Sequence, residues 1–316
     1  MLSIVIPVYR NEESIPDLLL ALEDLGQKFH RDFEVVFVVD GSPDRSYEIL
    51  QKELPTASFN SKLILLTRNF GSFAAIRTGL KYTQGDYIAV MAADLQEPPE
   101  IVFEMEKLLQ SKEDPADVVL GVRSERHDPW MSKVASQIFW GLYRKFVVKE
   151  MPPNGVDIFG CNRAFRDTLL TLDEAHSSLI AQIFWLGFRR KTVAYTRKKR
   201  MHGKSAWTFQ KKLSYLADSV FAFTDLPIRF LIRGGMIGAI SIALLGIIVF
   251  IAKLLGLITV PGYTVLVLVM SFIGATNLFA LGIVGSYAWR AYENTKNRPI
   301  AIPLRIIKFE KHEHQY

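Results

Sequence analysis

Over the first third of the chain, short runs of apolar residues, most of them β-branched, alternate with amphipathic stretches. Ser3-Ile4-Val5-Ile6-Pro7-Val8, Phe33–Val39, Lys62–Leu66, Tyr87–Ala92 and Asp117–Val122 predict strands. They are apolar at nearly every position rather than every second one, the mark of strands buried on both faces in a parallel sheet. Between them the spacing predicts helices over Glu13–Lys28 and Phe73–Tyr82. Another begins near Pro98-Pro99, since proline is tolerated in a helix's first turn. The pattern is that of an open α/β domain, in which ligands bind at the carboxyl ends of the strands.

After Val122 the segments lengthen. Trp130, Val134, Ile138, Leu142 and Phe146 recur at helical spacing within Trp130–Val148, and Trp207–Phe230 is rich in Phe and Leu. Either segment packs on the sheet or lies in a lipid interface, where aromatic-rich amphipathic helices are at home. Gly234–Ala252 and Pro261–Trp289 then run without a charged residue. Each reaches the roughly 20 apolar residues that cross a bilayer. The expected organisation is a catalytic-type domain over 1–206, a juxtamembrane helix over 207–230, two transmembrane helices over 231–290 and a cytoplasmic tail over 291–316.

Composition matters here because its averages conceal this division. Apolar residues make up 49% of 316 and charged residues 22%, ordinary for a soluble protein, yet the charges leave two long gaps. Leu2–Val8 is too short, and lacks a preceding basic residue, to read as a signal peptide. Arg229 and Arg233 precede the first gap; Arg290, Lys296, Arg298, Arg305, Lys308 and Lys311 follow the second; Lys253 alone marks the connection. The positive-inside rule then places both ends in the cytoplasm, as a multi-pass protein of the inner membrane. The same residues account for much of the net charge of +6, so no nucleic-acid partner is implied. The basic runs Arg189-Arg190-Lys191 and Arg197-Lys198-Lys199-Arg200 suit either anionic lipid or a phosphate ligand. A single cysteine, Cys161, excludes an internal disulfide.

Candidate chemistry sits at the strand ends. Asp40-Gly41-Ser42 closes the second strand, and these types equally make a turn and helix cap. Asp94 follows the fourth, where a carboxylate can hold a hard divalent cation together with phosphate oxygens. His127, His176 and His202 show no metal-ligand spacing.

The motifs Ile6-Pro7-Val8-Tyr9, Asp40-Gly41-Ser42, Arg68-Asn69-Phe70-Gly71, Ala93-Asp94-Leu95-Gln96-Glu97-Pro98-Pro99-Glu100, Gly121-Val122-Arg123 and Gly203-Lys204-Ser205 resemble those of the family 2 glycosyltransferases of the polyprenyl-phosphate type. The resemblance covers nearly the whole chain. It implies a GT-A, Rossmann-like nucleotide-sugar-binding domain, and transfer of a monosaccharide, with inversion, from a nucleotide-sugar (a UDP-sugar) to undecaprenyl phosphate. It implies Mg²⁺ or Mn²⁺ on Asp94 and Gln96. The donor-binding set it implies is Pro7, Tyr9, Asn11, Asp40, Ala93, Asp94, Gln96, Arg123, Arg200 and Lys204. It implies Asp157, Asp94 and Arg123 as the catalytic residues, and a homo-oligomer, a tetramer, is compatible with it. The acceptor phosphate has a second pKa of about 6 and is largely a dianion at neutral pH, so Asp157 is expected to orient groups more than to remove a proton.

The chain departs from the family pattern in three places. Ala92 stands where the metal motif usually has its first Asp, Asn11 where a Glu is usual, and Ala206 where a Lys is usual, with Lys204 nearby. The alternative of a different class is a catalytically inert sugar-nucleotide or lipid-phosphate binding protein supporting a partner enzyme. A processive polysaccharide synthase is disfavoured, since neither a Gln-x-x-Arg-Trp segment nor further spans are present.

Overall fold

Every residue of Phe33–Val39 is buried, as a strand covered on both sides requires. The computed structural model of the chain describes residues 1–29, 33–124, 140–141, 143–174, 177–198, 209–256 and 262–311. Its strands are β1 Leu2–Val8, β2 Phe33–Val39, β3 Asn60–Leu66, β4 Tyr87–Val90, β5 Val118–Arg123, β6 Ile158–Asn162, β7 Arg190–Tyr195 and β8 Pro303–Phe309. They form one sheet in the order β7-β5-β6-β4-β1-β2-β3-β8. The helices are α1 Ile15–Phe29, α2 Ser46–Glu53, α3 Ser72–Lys81, α4 Ile101–Gln110, α5 Arg163–Thr171, α6 Leu179–Trp185, α7 Phe209–Phe223, α8 Leu226–Leu254 and α9 Tyr263–Thr295.

The sheet is mixed rather than wholly parallel. β6 runs antiparallel to both β4 and β5, and β8 antiparallel to β3. All other pairings are parallel. Periodicity missed β7 and β8 because both are half exposed and carry interspersed charges. One face of the sheet packs Ile4, Ile6, Phe37 and Val39 against Leu18 and Leu22 of α1 and Val102 and Met105 of α4. On the other face α3 comes unusually close. A Cβ on Gly79 would lie 2.3 Å from Val5 Cγ1, so a hydrogen there is what the close packing needs.

Pro7 shows how the central strand accommodates a residue without an N–H. Val8 O, one residue on, accepts from Asp40 N at 3.0 Å, so position 7 faces the β4 side, and β4 ends at Val90 opposite Val5. No ladder bond is lost there.

The chain divides into two compact units, Met1–Tyr215 with the segment beginning at Arg298, and Leu216–Asn297. Within the expected tail, Pro303–Phe309 forms β8, because Leu65, Ile64 and Leu63 offer an open edge to Arg305, Ile306 and Ile307.

In the second unit, Phe272–Thr295 is long and apolar enough to cross a membrane, with a mean hydropathy of 1.3 over its best window. It is the one such stretch among the described residues, where two were expected. α8 gives its first turns to Arg229 and Arg233, which confines its uncharged run to Gly234–Ala252. Large apolar side chains such as Ile237 on α8 (67% exposed) and Leu278 on α9 (73%) face outward. Within this unit Arg290 donates to Asp218 at 2.8 Å and lies over the Phe221 ring, tying the end of α7 to α9.

The expected amphipathic helix over Trp130–Val148 is described only from Trp140 onward, without Leu142. Its Tyr143 is fully buried, stacked on Tyr215 at 5.9 Å and hydrogen-bonded to Ser178 at 3.3 Å, which is a packing role.

Candidate active site

Strand direction decides which residues meet. β1, β2, β4, β5 and β7 are parallel, so their carboxyl ends lie along one edge. β6 runs the other way, so the residue before it, Asp157, arrives at that same edge. Tyr9, Asp40, Asp94, Arg123, Asp157 and Tyr195 all sit at strand ends or starts along this edge, where an open α/β sheet binds its ligands.

The loops after β1 and β2 are stitched to each other. Arg10 N donates to Ser42 Oγ at 2.7 Å, Asn11 N to Ser46 Oγ at 3.1 Å and Glu12 N to Asp44 Oδ2 at 3.1 Å. Asn11 Oδ1 accepts from Tyr9 N at 3.0 Å, so this side chain shapes the turn. Asp44 is held below the usual carboxylate range, because bonds from Ser42, Ser46 and two backbone amides outweigh the cost of burial.

Asp40 is buried, and its two oxygens accept from Phe70 N at 2.7 Å and Gly71 N at 2.8 Å. Burial raises its pKa in spite of those bonds and the nearby Arg68 charge. Gly41, at φ +54°, lets the loop after β3 press close; a Cβ there would fall 2.3 Å from the Arg68 carbonyl carbon. Asp40-Gly41 thus clamps Arg68-Asn69-Phe70-Gly71, the structural role that a strand-end Asp-Gly equally suits.

The turn after β4 carries Ala93, Asp94 and Gln96 around Leu95, whose φ is +52°. Gln96 N donates to Asp94 Oδ1 at 3.3 Å. The Gln96 side chain reaches across to the residues after β7, where Oε1 accepts from the Arg197 guanidinium and Nε2 donates to Lys198 O at 3.4 Å. Glu97, only 2% exposed, keeps an Oε2 with no hydrogen-bond partner among the described residues. Burial, then the charges of Asp94 and Asp157, push its carboxyl up to about 7, against the pull of Arg197. The contrast with Glu34 at the opposite edge is instructive. Glu34 is as buried, but Ser3, Gln84 N and Lys62 satisfy it, and its pKa falls despite burial.

Arg123 and Asp157 form a bidentate pair, Nη2 donating to Oδ1 at 2.7 Å and Nε to Oδ2. Tyr195 Oη also donates to Asp157 Oδ2, at 2.7 Å. Asn154 Nδ2 donates to the Arg123 carbonyl at 2.8 Å, fixing the strand end behind the pair. Burial opposes the Arg123 charge, but the bonds and charge of Asp157 more than offset it and hold the proton tightly. Tyr195 is raised by burial and by the Asp157 and Glu97 charges, so its hydroxyl stays a donor.

Of the residues singled out in the sequence, Asp94, Gln96, Arg123 and Asp157 come together with Glu97, Tyr195 and Arg197. Arg200, Lys204 and Ala206 lie outside the described residues, as do His127, His176 and His202. Tyr195 was not foreseen. Its only signal was a position at the end of a polar strand immediately before a basic run. Among the described residues no three His, Cys, Asp or Glu side chains are placed to hold a metal by themselves. That donor set fits a cation sharing one carboxylate and an amide oxygen with phosphate and water, the usual manner of Mg²⁺. Cys161 is free and buried, its thiol pushed up to about 12 by burial.

Residues 3–172 match the family model for glycosyl transferase family 2. The chain belongs to that family. As a family 2 glycosyltransferase with this mixed sheet, it has a GT-A-like fold. It is 29% identical over 301 residues to the uncharacterized glycosyltransferase sll0501 of Synechocystis sp., covering 95% of this chain and 93% of that one. It is 31% identical over 309 residues to the uncharacterized glycosyltransferase YkcC of Bacillus subtilis, covering 98% and 94%. It is 32% identical over 310 residues to the undecaprenyl-phosphate 4-deoxy-4-formamido-L-arabinose transferase of Photorhabdus laumondii, covering 96% and 94%.

Proposed function

We propose that this glycosyltransferase moves a monosaccharide from a UDP-sugar to undecaprenyl phosphate at the cytoplasmic face of the inner membrane, inverting the anomeric carbon. The observation that carries the reading is the Arg123–Asp157 pair, a cation fixed at the ligand-binding edge beside the Asp94 turn. An acceptor phosphate oxygen attacks the anomeric carbon, that C–O bond forms as the bond to the diphosphate breaks, and UDP leaves with the electron pair. The acceptor is mostly dianionic at neutral pH, so no side chain has to take a proton. Arg123 binds and orients an anion, and Asp157 with Tyr195 holds Arg123 in place. Asp94 and Gln96 are the residues to hold Mg²⁺ or Mn²⁺, which supplies neutralisation of the leaving diphosphate. Pro7, Tyr9, Asn11, Ala93, Arg200 and Lys204 complete the donor site in this reading, with Asp40 shaping it through the loop after β3.

Purified full-length protein, given undecaprenyl phosphate, Mn²⁺ and a panel of nucleotide-sugars, is expected to release UDP from one of them only when lipid and metal are both present. Release of a different nucleoside diphosphate would reassign the donor. No release from any donor, with nucleotide still bound, would turn the reading to an inert binding protein.

The reading also has two membrane crossings. β8 follows α9 in the chain yet pairs with β3, so both flanks of Leu216–Asn297 belong to one folded unit. A folded unit occupies one side of a bilayer, and the segment between its parts then crosses an even number of times. With Phe272–Thr295 as one crossing, α8 is the other. Native Cys161 is buried, which leaves a quiet background for thiol labelling. A Thr259→Cys chain in intact cells is expected to react with a membrane-impermeant maleimide, whereas labelling only after lysis would exclude the hairpin.

A further inference from the structure

Gln96 is gripped at three points by the two residues that follow Thr196 after β7. Lys198 N donates to Gln96 O at 2.8 Å, Gln96 Nε2 donates to Lys198 O at 3.4 Å, and the Arg197 guanidinium donates to Gln96 Oε1. Arg197 Nε is itself buried with no hydrogen-bond partner among the described residues. A guanidinium nitrogen left without a partner in a buried place has given up water for nothing in return, and such groups call for an explanation. Nearby lies a second unsatisfied polar atom, Glu97 Oε2, whose carboxyl feels the Arg197 charge. The positive charge therefore sits on the very amide oxygen assigned above to a divalent cation. Two cations bound to one oxygen repel strongly in a partly desolvated site.

We propose that Arg197 is a donor-phosphate-binding residue held in reserve on Gln96 Oε1. A divalent cation arriving at Asp94 and Gln96 displaces the guanidinium, which turns to the diphosphate of the donor that comes with the metal. The proposal rests on the reading of Asp94 and Gln96 as the cation's ligands, and adds to it a residue and an order of events. Arginine suits the task because its planar donors match two phosphate oxygens at once. The backbone bonds of Lys198 to Gln96 stay in place, so only a side chain moves.

The test separates the two halves of the exchange. Mn²⁺ binding to the full-length protein is measured without nucleotide, from the free-ion electron paramagnetic resonance signal. UDP binding is then measured by calorimetry at saturating Mn²⁺. Arg197→Gln is expected to tighten Mn²⁺ binding about tenfold and to weaken UDP binding about tenfold, the worth of one charge-assisted hydrogen bond. Effects of opposite sign are not what a damaged fold gives, since that weakens both. Arg197→Lys keeps the charge and is expected to leave Mn²⁺ binding near the parent value while weakening UDP. Mn²⁺ binding that is unchanged or weaker in Arg197→Gln overturns the proposal, as does unaltered UDP binding. If Asp94→Ala leaves Mn²⁺ binding of the parent protein intact, the fault lies instead with the assignment of the metal ligands.

Discussion

Arg123→Ala is expected to lower kcat/KM for the lipid acceptor about a thousandfold, a loss of about 4 kcal/mol of transition-state stabilisation. Two of the guanidinium's nitrogens are committed to Asp157, which fixes the charge at the edge where an anion arrives. The geometry is a fork, so Arg123→Lys should recover less than about tenfold of the loss, because an ammonium cannot engage Asp157 and an anion in the same plane. Asp157→Asn makes the complementary measurement. Its amide oxygen can still accept from Tyr195 or Arg123, and turnover should fall only about fivefold, the value of one hydrogen bond weakened. Steady-state kinetics over the acceptor concentration distinguishes the outcomes. A mild Arg123→Ala together with an Asp157→Asn enzyme slowed by several orders of magnitude would make Asp157 a proton acceptor and remove the orienting role.

Glu97→Gln is expected to stabilise the folded protein at neutral pH. Glu97 is raised from 4.5 in the unfolded chain to about 7 in the fold, by burial and by the charges of Asp94 and Asp157. The folded state therefore binds more protons than the unfolded one between those values, and stability falls as pH rises through that window. The contribution is fully present below about 4.5 and lost above about 7. At 1.36 kcal/mol per unit the cost at pH 8 reaches about 3 kcal/mol. Removing the charge removes that cost, so E97Q should raise the melting temperature of the metal-free protein at pH 8 and have little effect at pH 4.5. Equal shifts at both pH values would mean that Glu97 is already satisfied by a partner.

The periodic part of the fold was legible in the sequence because both faces of β1 to β5 are covered, which leaves unbroken apolar runs. The antiparallel β6 was not, since Ile158-Phe159-Gly160-Cys161-Asn162 differs in nothing local from a short parallel strand. Direction is set by which neighbours it pairs with, and that information is non-local. The site followed the same division. Asp94 was singled out at a strand end and Gln96, Arg123 and Asp157 through the family motifs, and the fold brings them to one sheet edge, whereas Asp40 turned inward to the Phe70 and Gly71 amides because its loop had to be held down. Tyr195 became visible only once β7 was seen beside β5, and the same pairing brings the basic run at Arg197, legible in the sequence as suiting lipid or phosphate, to the Asp157 edge.

The position of β8 has an implication for how the protein comes into being. The edge of β3 that it covers is made early in synthesis, while the covering strand leaves the ribosome only after both long helices. Until then the nascent domain presents an open strand edge, the kind of surface that recruits stray chains. Completion of the sheet thereby waits on the synthesis of Phe272–Thr295, the stretch long and apolar enough to cross a membrane, and a polypeptide stalled or cleaved before β8 is left with the β3 edge uncovered.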